Sequence, residues 1–421
     1  MAAKSEWESD LWYWIISAWE KAELDQESKR QVLSCLSTSE LYPDNSGDIA
    51  DVLSKFLQGN DSEDVAELLD KIHSIATTLY PYAAAIKDIS CNINISGVLP
   101  DTSWFTKAIN HPFGKLAQLW VHSIGFWRKQ QAVPPKELSA EYRRALDAIM
   151  ESSGLSGKLG RTILAREFNF LNAIDNLWAE QHLLPLFDAE HEDFLCAWDG
   201  FMFSSRLSSQ LLKLLRDKII GALQRGIREF PQDMLKRFVR FYVTALGYFI
   251  ENAQDSWISE FFKHVDKNHE LKHEFAVAIR NKLSGLNESE QKEWWNVWLK
   301  DYWNDRLHGV PCPLDNEETD IMLQWLVYLQ GVFPEAVDIL LRMPSIHLNP
   351  HSSFLSRIAE TKLIGRYPQE LAKLLIHLGK PDNLPWFWEN DLDFLHKLRE
   401  KNLLDELAQE LDNLIRRIEI S

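Results

Sequence analysis

Glu293-Trp294-Trp295-Asn296-Val297-Trp298-Leu299-Lys300-Asp301-Tyr302-Trp303 decides how the chain is read. Trp294, Trp295, Trp298 and Trp303 share one predicted helix, and Trp294 and Trp298 stand at i, i+4, where helical side chains meet. The chain carries 17 Trp in 421 residues, and they recur at helical spacing. Each can bury about 150–250 Å². At roughly 25 cal/mol per Å² that is on the order of 4–6 kcal/mol gross. Many exposed indoles would make adhesive patches. They are therefore expected in a core, or at an interface with another chain.

Outward from this stretch, helical periodicity continues. Trp7, Leu11, Trp14, Ile15 and Ala18 mark one face of a first helix. Asp48 is placed to cap a helix carrying Ile49, Val52, Leu53, Phe56 and Leu57, closed by Gly59; Asp61 or Ser62 starts the next. Residues 91–103, with Asn92 to Gly97 and then Pro100-Asp101, read as a linker. Further helices are predicted over 112–128, 138–152, 208–225 and 231–250, with two more ending near 180. Gly154, Gly157 and Gly160 read as punctuation of a turn, and Pro311 and Pro313 as a second boundary. The expected division is an N-terminal helical region over 1–97, a central Trp-rich helical domain over 98–310 and a C-terminal helical-repeat region over 311–421.

The C-terminal third contains an internal echo. Phe333-Pro334-Glu335 leads to Val337, Leu340 and Leu341; Tyr367-Pro368-Gln369 leads to Leu371, Leu374 and Leu375, and Phe230-Pro231-Gln232 opens alike. Pro suits the first helical position, where its missing N–H costs nothing. An offset of 34 residues between helix pairs suggests a solenoid-like stack. Leu404, Leu407, Leu411, Leu414 and Ile418 form a narrow heptad seam expected to pack within its own domain.

Composition narrows function. Hydrophobic content of 45% and charged content of 25% fit a globular protein. A net charge of −17 disfavours general nucleic-acid affinity, which rests on neutralising phosphates, and disfavours anionic membrane surfaces. Cys35, Cys91, Cys196 and Cys312 form no CxxC pair, which fits a reducing cytoplasm. Glu6, Glu8 and Asp10 stand where a signal peptide would be basic, and the apolar run from Trp12 to Trp19 is too short to span a bilayer. The expectation is a cytoplasmic chain, one that could be a piece of a longer polypeptide.

Catalytic motifs are sparse. His269 and His273 stand at i, i+4 near His264, but Lys263, Lys267 and Lys272 would repel a cation, so the reading is a solvated face with no metal. Glu190-His191-Glu192-Asp193 fits a helix start favoured by the helix dipole. Asp338, Glu360 and Lys362 match a nuclease-type acid-x-Lys pattern in outline, within helical surroundings. Neither GxxxxGK[ST], GxGxxG nor GxSxG occurs. A Ser/His/acid triad is neither indicated nor excluded by spacing. No catalytic residue and no cofactor are assigned. One charge anomaly stands out. Residues 206–240 contain Arg206, Lys213, Arg216, Lys218, Arg225, Arg228, Lys236, Arg237 and Arg240 against Asp217, Glu229 and Asp233, a balance of 9 − 3 = +6. Two readings stand: pairing with acidic neighbours inside the chain, or a docking surface for an acidic partner or nucleic acid.

The central block adds a resemblance. Asn110-His111-Pro112-Phe113-Gly114-Lys115-Leu116-Ala117 with Trp120, then Leu183-Leu184-Pro185-Leu186-Phe187-Asp188, Ala197-Trp198-Asp199-Gly200-Phe201 and Arg206-Leu207 follow in order. This order resembles the large helical domain of unassigned function at the C-terminus of some bacterial sirtuin-like antiphage defence proteins. It covers about residues 100–225. In that family an N-terminal sirtuin-like domain destroys NAD, and the helical remainder is associated with sensing infection or with assembly. The family's NAD-binding residues have no counterparts here, so that activity is not carried over. The matched residues have a physical reading of their own: Gly114 and Gly200 allow close approach, and Trp120, Trp198 and Phe201 fill the space between helices.

The expected fold is all-α, an irregular helical-repeat (HEAT/TPR-like) solenoid or stacked helical bundle. The expected function is a non-enzymatic recognition and scaffold module in bacterial immunity, binding an effector subunit or a phage protein and open to oligomerisation. The rivals are a divergent nuclease or NAD hydrolase, and a nucleic-acid-binding helical repeat.

Overall fold

The computed structural model describes residues 2–37, 42–57, 65–87, 103–204, 207–248, 257–265, 267–342, 354–380, 388 and 391–420. The architecture is all-α, and no strand occurs among the described residues. The predicted linker over 91–102, Gly59, Asp61, Ser62, Arg206 and the expected boundary at 97/98 lie outside them. None of the helices among the described residues is long and apolar enough to cross a membrane.

The chain forms two compact units, one of residues 1–218 with 228–234, the other of 219–227 with 235–421. The first contains α1 (Ala2–Lys21), α2 (Gln26–Ser37), α3 (Tyr42–Phe56), α4 (Val65–Ala85), α5 (Trp104–Asn110) and α6 (Pro112–Gln130). It continues with α7 (Ala140–Glu151), α8 (Gly154–Arg166), α9 (Phe168–Ile174), α10 (Asn176–His182) and α11 (His191–Met202). Helix α12 (Ser209–Glu229) contributes to both units. The second unit holds α13 (Gln232–Leu246), α14 (Ser259–Val265), α15 (His269–Ser284), α16 (Glu288–Trp294), α17 (Lys300–Leu307) and α18 (Asn316–Gln324). It ends with α19 (Phe333–Leu340), α20 (Phe354–Ala359), α21 (Leu363–Arg366), α22 (Pro368–Leu378), α23 (Leu392–Arg399) and α24 (Asp405–Ile420).

In the first unit α8 packs on both α6 and α11. The contact needs glycine. A Cβ on Gly200 of α11 would lie 2.1 Å from the Thr162 carbonyl oxygen of α8, and one on Gly114 would lie 1.9 Å from the Ala108 carbonyl oxygen. The turn predicted from Gly154, Gly157 and Gly160 is instead the body of α8. These glycines thin one face: a Cβ on Gly157 would meet the Ser152 carbonyl oxygen at 1.9 Å, and one on Gly160 would meet Phe113 at 2.8 Å. Close packing here outweighs the helix propensity of about 1 kcal/mol that glycine sacrifices.

His111 joins α5 to α6. Its Nδ1 accepts from the Phe113 N–H at 3.1 Å, and Nε2 lies 3.2 Å from the Ile86 carbonyl oxygen. Pro112 then opens α6. Asp199 of α11 accepts from Ser103 Oγ and the Phe105 N–H, fixing the start of α5. Trp120, Trp198 and Phe201 are buried. Each segment of the central block therefore has a packing or capping task.

In the second unit the tryptophan run is continuous but not uniformly α-helical. Residues Trp295–Leu299 form a π turn between α16 and α17. The wider turn lets the neighbours Trp294 and Trp295 both be buried, and Trp298 and Trp303 are buried as well. Trp294 and Trp298 meet at 5.3 Å, Trp295 and Trp303 at 5.7 Å, and Trp303 and Trp325 at 5.5 Å between ring centroids. The echo is visible as packing: α19 contacts α22, and the openers Phe333 and Tyr367 stack at 5.9 Å.

Two expected apolar faces are shifted. Along α1, Leu11 and Trp14 are 59% and 67% exposed, and the buried side chain is Ile16. Not every indole is therefore covered within the chain. In the last helix Leu404 precedes the first turn and is exposed, while Ala408, Leu411, Leu414, Ile415 and Ile418 pack α24 on α22 and α23.

Candidate functional site

A groove in the first unit brings polar groups together. Three cavities of about 570, 360 and 380 Å³ run into one another. The first two share Asn169 and Ala173 as lining residues; the second and third share Val121, His122, Glu167 and Phe170. Helices α6, α9 and α10 supply most of the wall, with Ser204, Ser208 and Gln210 from the following segment.

Helical geometry explains the polar lining. Phe168, Leu171 and Ile174 turn into the core, so Asn169, Asn172 and Ala173 face outward. Asp175 breaks the helix and caps the next one, accepting from the Trp178 N–H at 3.1 Å, and Asn176 follows on the groove side. Asp175 is itself buried and fixed by Arg143 Nη2 at 2.7 Å and the Leu138 N–H at 3.1 Å. Ser208 Oγ donates to Asn169 Oδ1 at 2.8 Å.

The groove is cationic on balance. Arg128, Lys129, Lys136 and Arg166 face Glu167 and Glu180. Arg166 approaches Glu167 at 3.2 Å and covers the Phe105 ring at 5.2 Å. Burial, with repulsion from Arg166, holds the His122 imidazole below its ordinary pKa, so it is neutral at pH 7. His122 Nδ1, Arg166 Nε and Asn172 Oδ1 are buried atoms with no hydrogen-bond partner. These groups can exchange hydrogen bonds with a polar ligand and attract negative charge; they do not compose a nucleophile with a base.

The basic segment of 206–240 is not gathered into one surface patch within either unit. Lys213, Arg216, Lys218 and Arg228 fall in the first unit; Arg225, Lys236, Arg237 and Arg240 fall in the second. Lys218 pairs with Asp188, Lys236 with Glu270 at 2.7 Å and Arg240 with Glu274 at 2.5 Å. Arg225 and Arg237 are also engaged. Lys213 and Arg228 are exposed. The groove's own cations come from outside this segment. The sequence signal that could have located them is the amide spacing Asn169, Asn172, Asn176 beside an otherwise apolar period.

Other sequence candidates are accounted for locally. His269 Nδ1 lies 2.9 Å from Asp315. Glu192 pairs with Lys158, Asp193 with Arg161 at 2.8 Å, and His191 with Glu229 at 3.0 Å, so the acidic helix start is tied down by ion pairs. Asp338, Glu360 and Lys362 are exposed on helices and turns.

One arrangement has the outline of a hydrolytic triad. His73 Nε2 lies 2.6 Å from Ser123 Oγ, and His73 Nδ1 lies 2.9 Å from Glu141 Oε1. The second approach is off-line for a hydrogen bond. Ser123 is fully buried and also meets the Tyr142 hydroxyl at 3.1 Å. A nucleophile must reach substrate, and this hydroxyl is sealed between helices. The group acts as a buried polar clasp joining α4, α6 and α7.

A domain family of unknown function, DUF4020, matches residues 247–365, less than half of the chain. This stretch holds the tryptophan run and a buried charge cluster. Arg306 Nη1 donates to the Cys312 carbonyl oxygen at 2.6 Å, and the guanidinium lies 4.6 Å from the Phe262 ring centroid. No curated protein and no solved structure matches the chain.

Proposed function

We propose that the chain is a non-enzymatic recognition and scaffold module of a bacterial antiphage defence system, working in the cytoplasm. Its partner is a protein, either an effector subunit or a phage product. The observation that carries this reading is the continuous groove of the first unit, whose walls are side-chain amides and cations. The antiphage setting rests on the resemblance over residues 100–225.

The mechanism is differential binding. A partner that fits the groove in one state of an effector assembly shifts the population toward that state. Moving such an equilibrium from 1:99 to 99:1 needs about 5.5 kcal/mol of preference. The test is phage challenge of bacteria carrying the effector with and without this chain. Loss of protection on deleting the chain, and on the charge reversals Arg128→Glu and Lys129→Glu, is expected. Protection indifferent to the chain overturns the reading.

A further inference from the structure

We propose that the groove of the first unit receives an extended, acidic segment of a partner protein. The inference rests on the recognition reading and names the chemistry of its partner.

Shape comes first. The cavities form a run with shared walls, a form suited to a stretched polymer rather than a compact metabolite. The amides come second. Asn169, Asn172 and Asn176 follow helical spacing along one wall. A carboxamide offers both a donor and an acceptor, the complement of a peptide's own N–H and C=O. Asn172 Oδ1 is a buried acceptor without a partner, a cost of about 1–3 kcal/mol that an incoming N–H would relieve.

Charge comes third. The side chains of Arg128, Lys129 and Lys136 form no ion pair among the described residues, and the groove carries more cations than carboxylates within a chain of net charge −17. Such a local reversal selects an acidic occupant. Single-stranded nucleic acid fits less well. It uses successive aromatic platforms, whereas Phe126 in the groove wall is buried and Phe170 is half-buried.

The test pans a bead-displayed random peptide library against the full chain and measures each selected peptide by fluorescence polarisation, with oligothymidylate as a parallel probe. The expected result is enrichment of peptides rich in Asp and Glu. Their binding should weaken at least about tenfold, or 1.4 kcal/mol, in the Arg128→Glu, Lys129→Glu double variant and decline with added salt. Lys136→Glu, at an exposed position, serves as a second variant should the first fail to fold. The inference is overturned if no peptide is enriched, if selected peptides lack acidic residues, if binding is indifferent to the groove variants, or if oligothymidylate alone binds. Groove variants that still abolish protection while no peptide binds would remove this inference and leave the recognition reading standing. Protection that never needed the chain would remove the recognition reading itself.

Discussion

Arg306 and Glu318 form a two-pronged ion pair inside the second unit, Nε to Oε1 at 2.9 Å and Nη2 to Oε2 at 2.7 Å, with both side chains fully buried. Breaking such a pair strands a charge. Glu318→Ala is expected to cost about 3–5 kcal/mol. The double replacement Arg306→Met, Glu318→Leu should cost less than Glu318→Ala alone. Urea unfolding followed by tryptophan fluorescence measures both. A Glu318→Ala variant of unchanged stability would show that the pair contributes nothing.

The ladder between α13 and α15 should behave differently. Lys236–Glu270 and Arg240–Glu274 each keep at least one side chain substantially in solvent. Screening limits such pairs to about 0–1 kcal/mol. Lys236→Ala should therefore shift the urea midpoint only slightly, and less at high salt.

Gly200→Ala sets two effects against each other. Alanine favours a helix by about 1 kcal/mol, but its Cβ would stand 2.1 Å from a backbone oxygen that cannot swing aside. Overpacking costs typically about 1–3 kcal/mol, so net destabilisation is expected. Gly221→Ala, where a Cβ meets nothing within 4 Å, is the control and should be neutral or stabilising.

Stability should fall on mild acidification. Burial holds His73, His111 and His122 below the ordinary 6.5. The folded protein then binds fewer protons than the unfolded chain between the two values. Their contribution is complete above about 6.5 and is lost as pH falls through the lowered folded values. Thermal denaturation across that range should show a declining midpoint. His111→Asn keeps an N-cap acceptor while removing one titrating group, so its profile should be flatter.

How much of this was legible in the sequence follows from what each signal depends on. The i, i+4 meeting of Trp294 and Trp298 is local and was readable. So were Pro at the starts of α19 and α22, and the close-approach roles of Gly114 and Gly200. The glycines of α8 misled because a turn and a tight helix crossing demand the same residue. Trp14 misled because periodicity reports which side chains align, not whether another element covers them. The groove was illegible for another reason. Arg128, Arg166 and Lys136 come from separate segments and converge only after the core of α6, α8 and α9 is packed. The 206–240 cluster was dense in sequence, yet Lys218, Lys236 and Arg240 are spent on carboxylates of neighbouring segments.

The π turn at Trp295–Leu299 has a consequence for heredity. Removing one residue there, at half-exposed Val297 for instance, would restore an ordinary winding and swing everything downstream by about 100°. Tyr302 and Trp303 would be carried off Trp325 together. Single-codon gains and losses among descendants should thus be tolerated in surface loops and purged from this stretch, where spelling is free to drift but length is not.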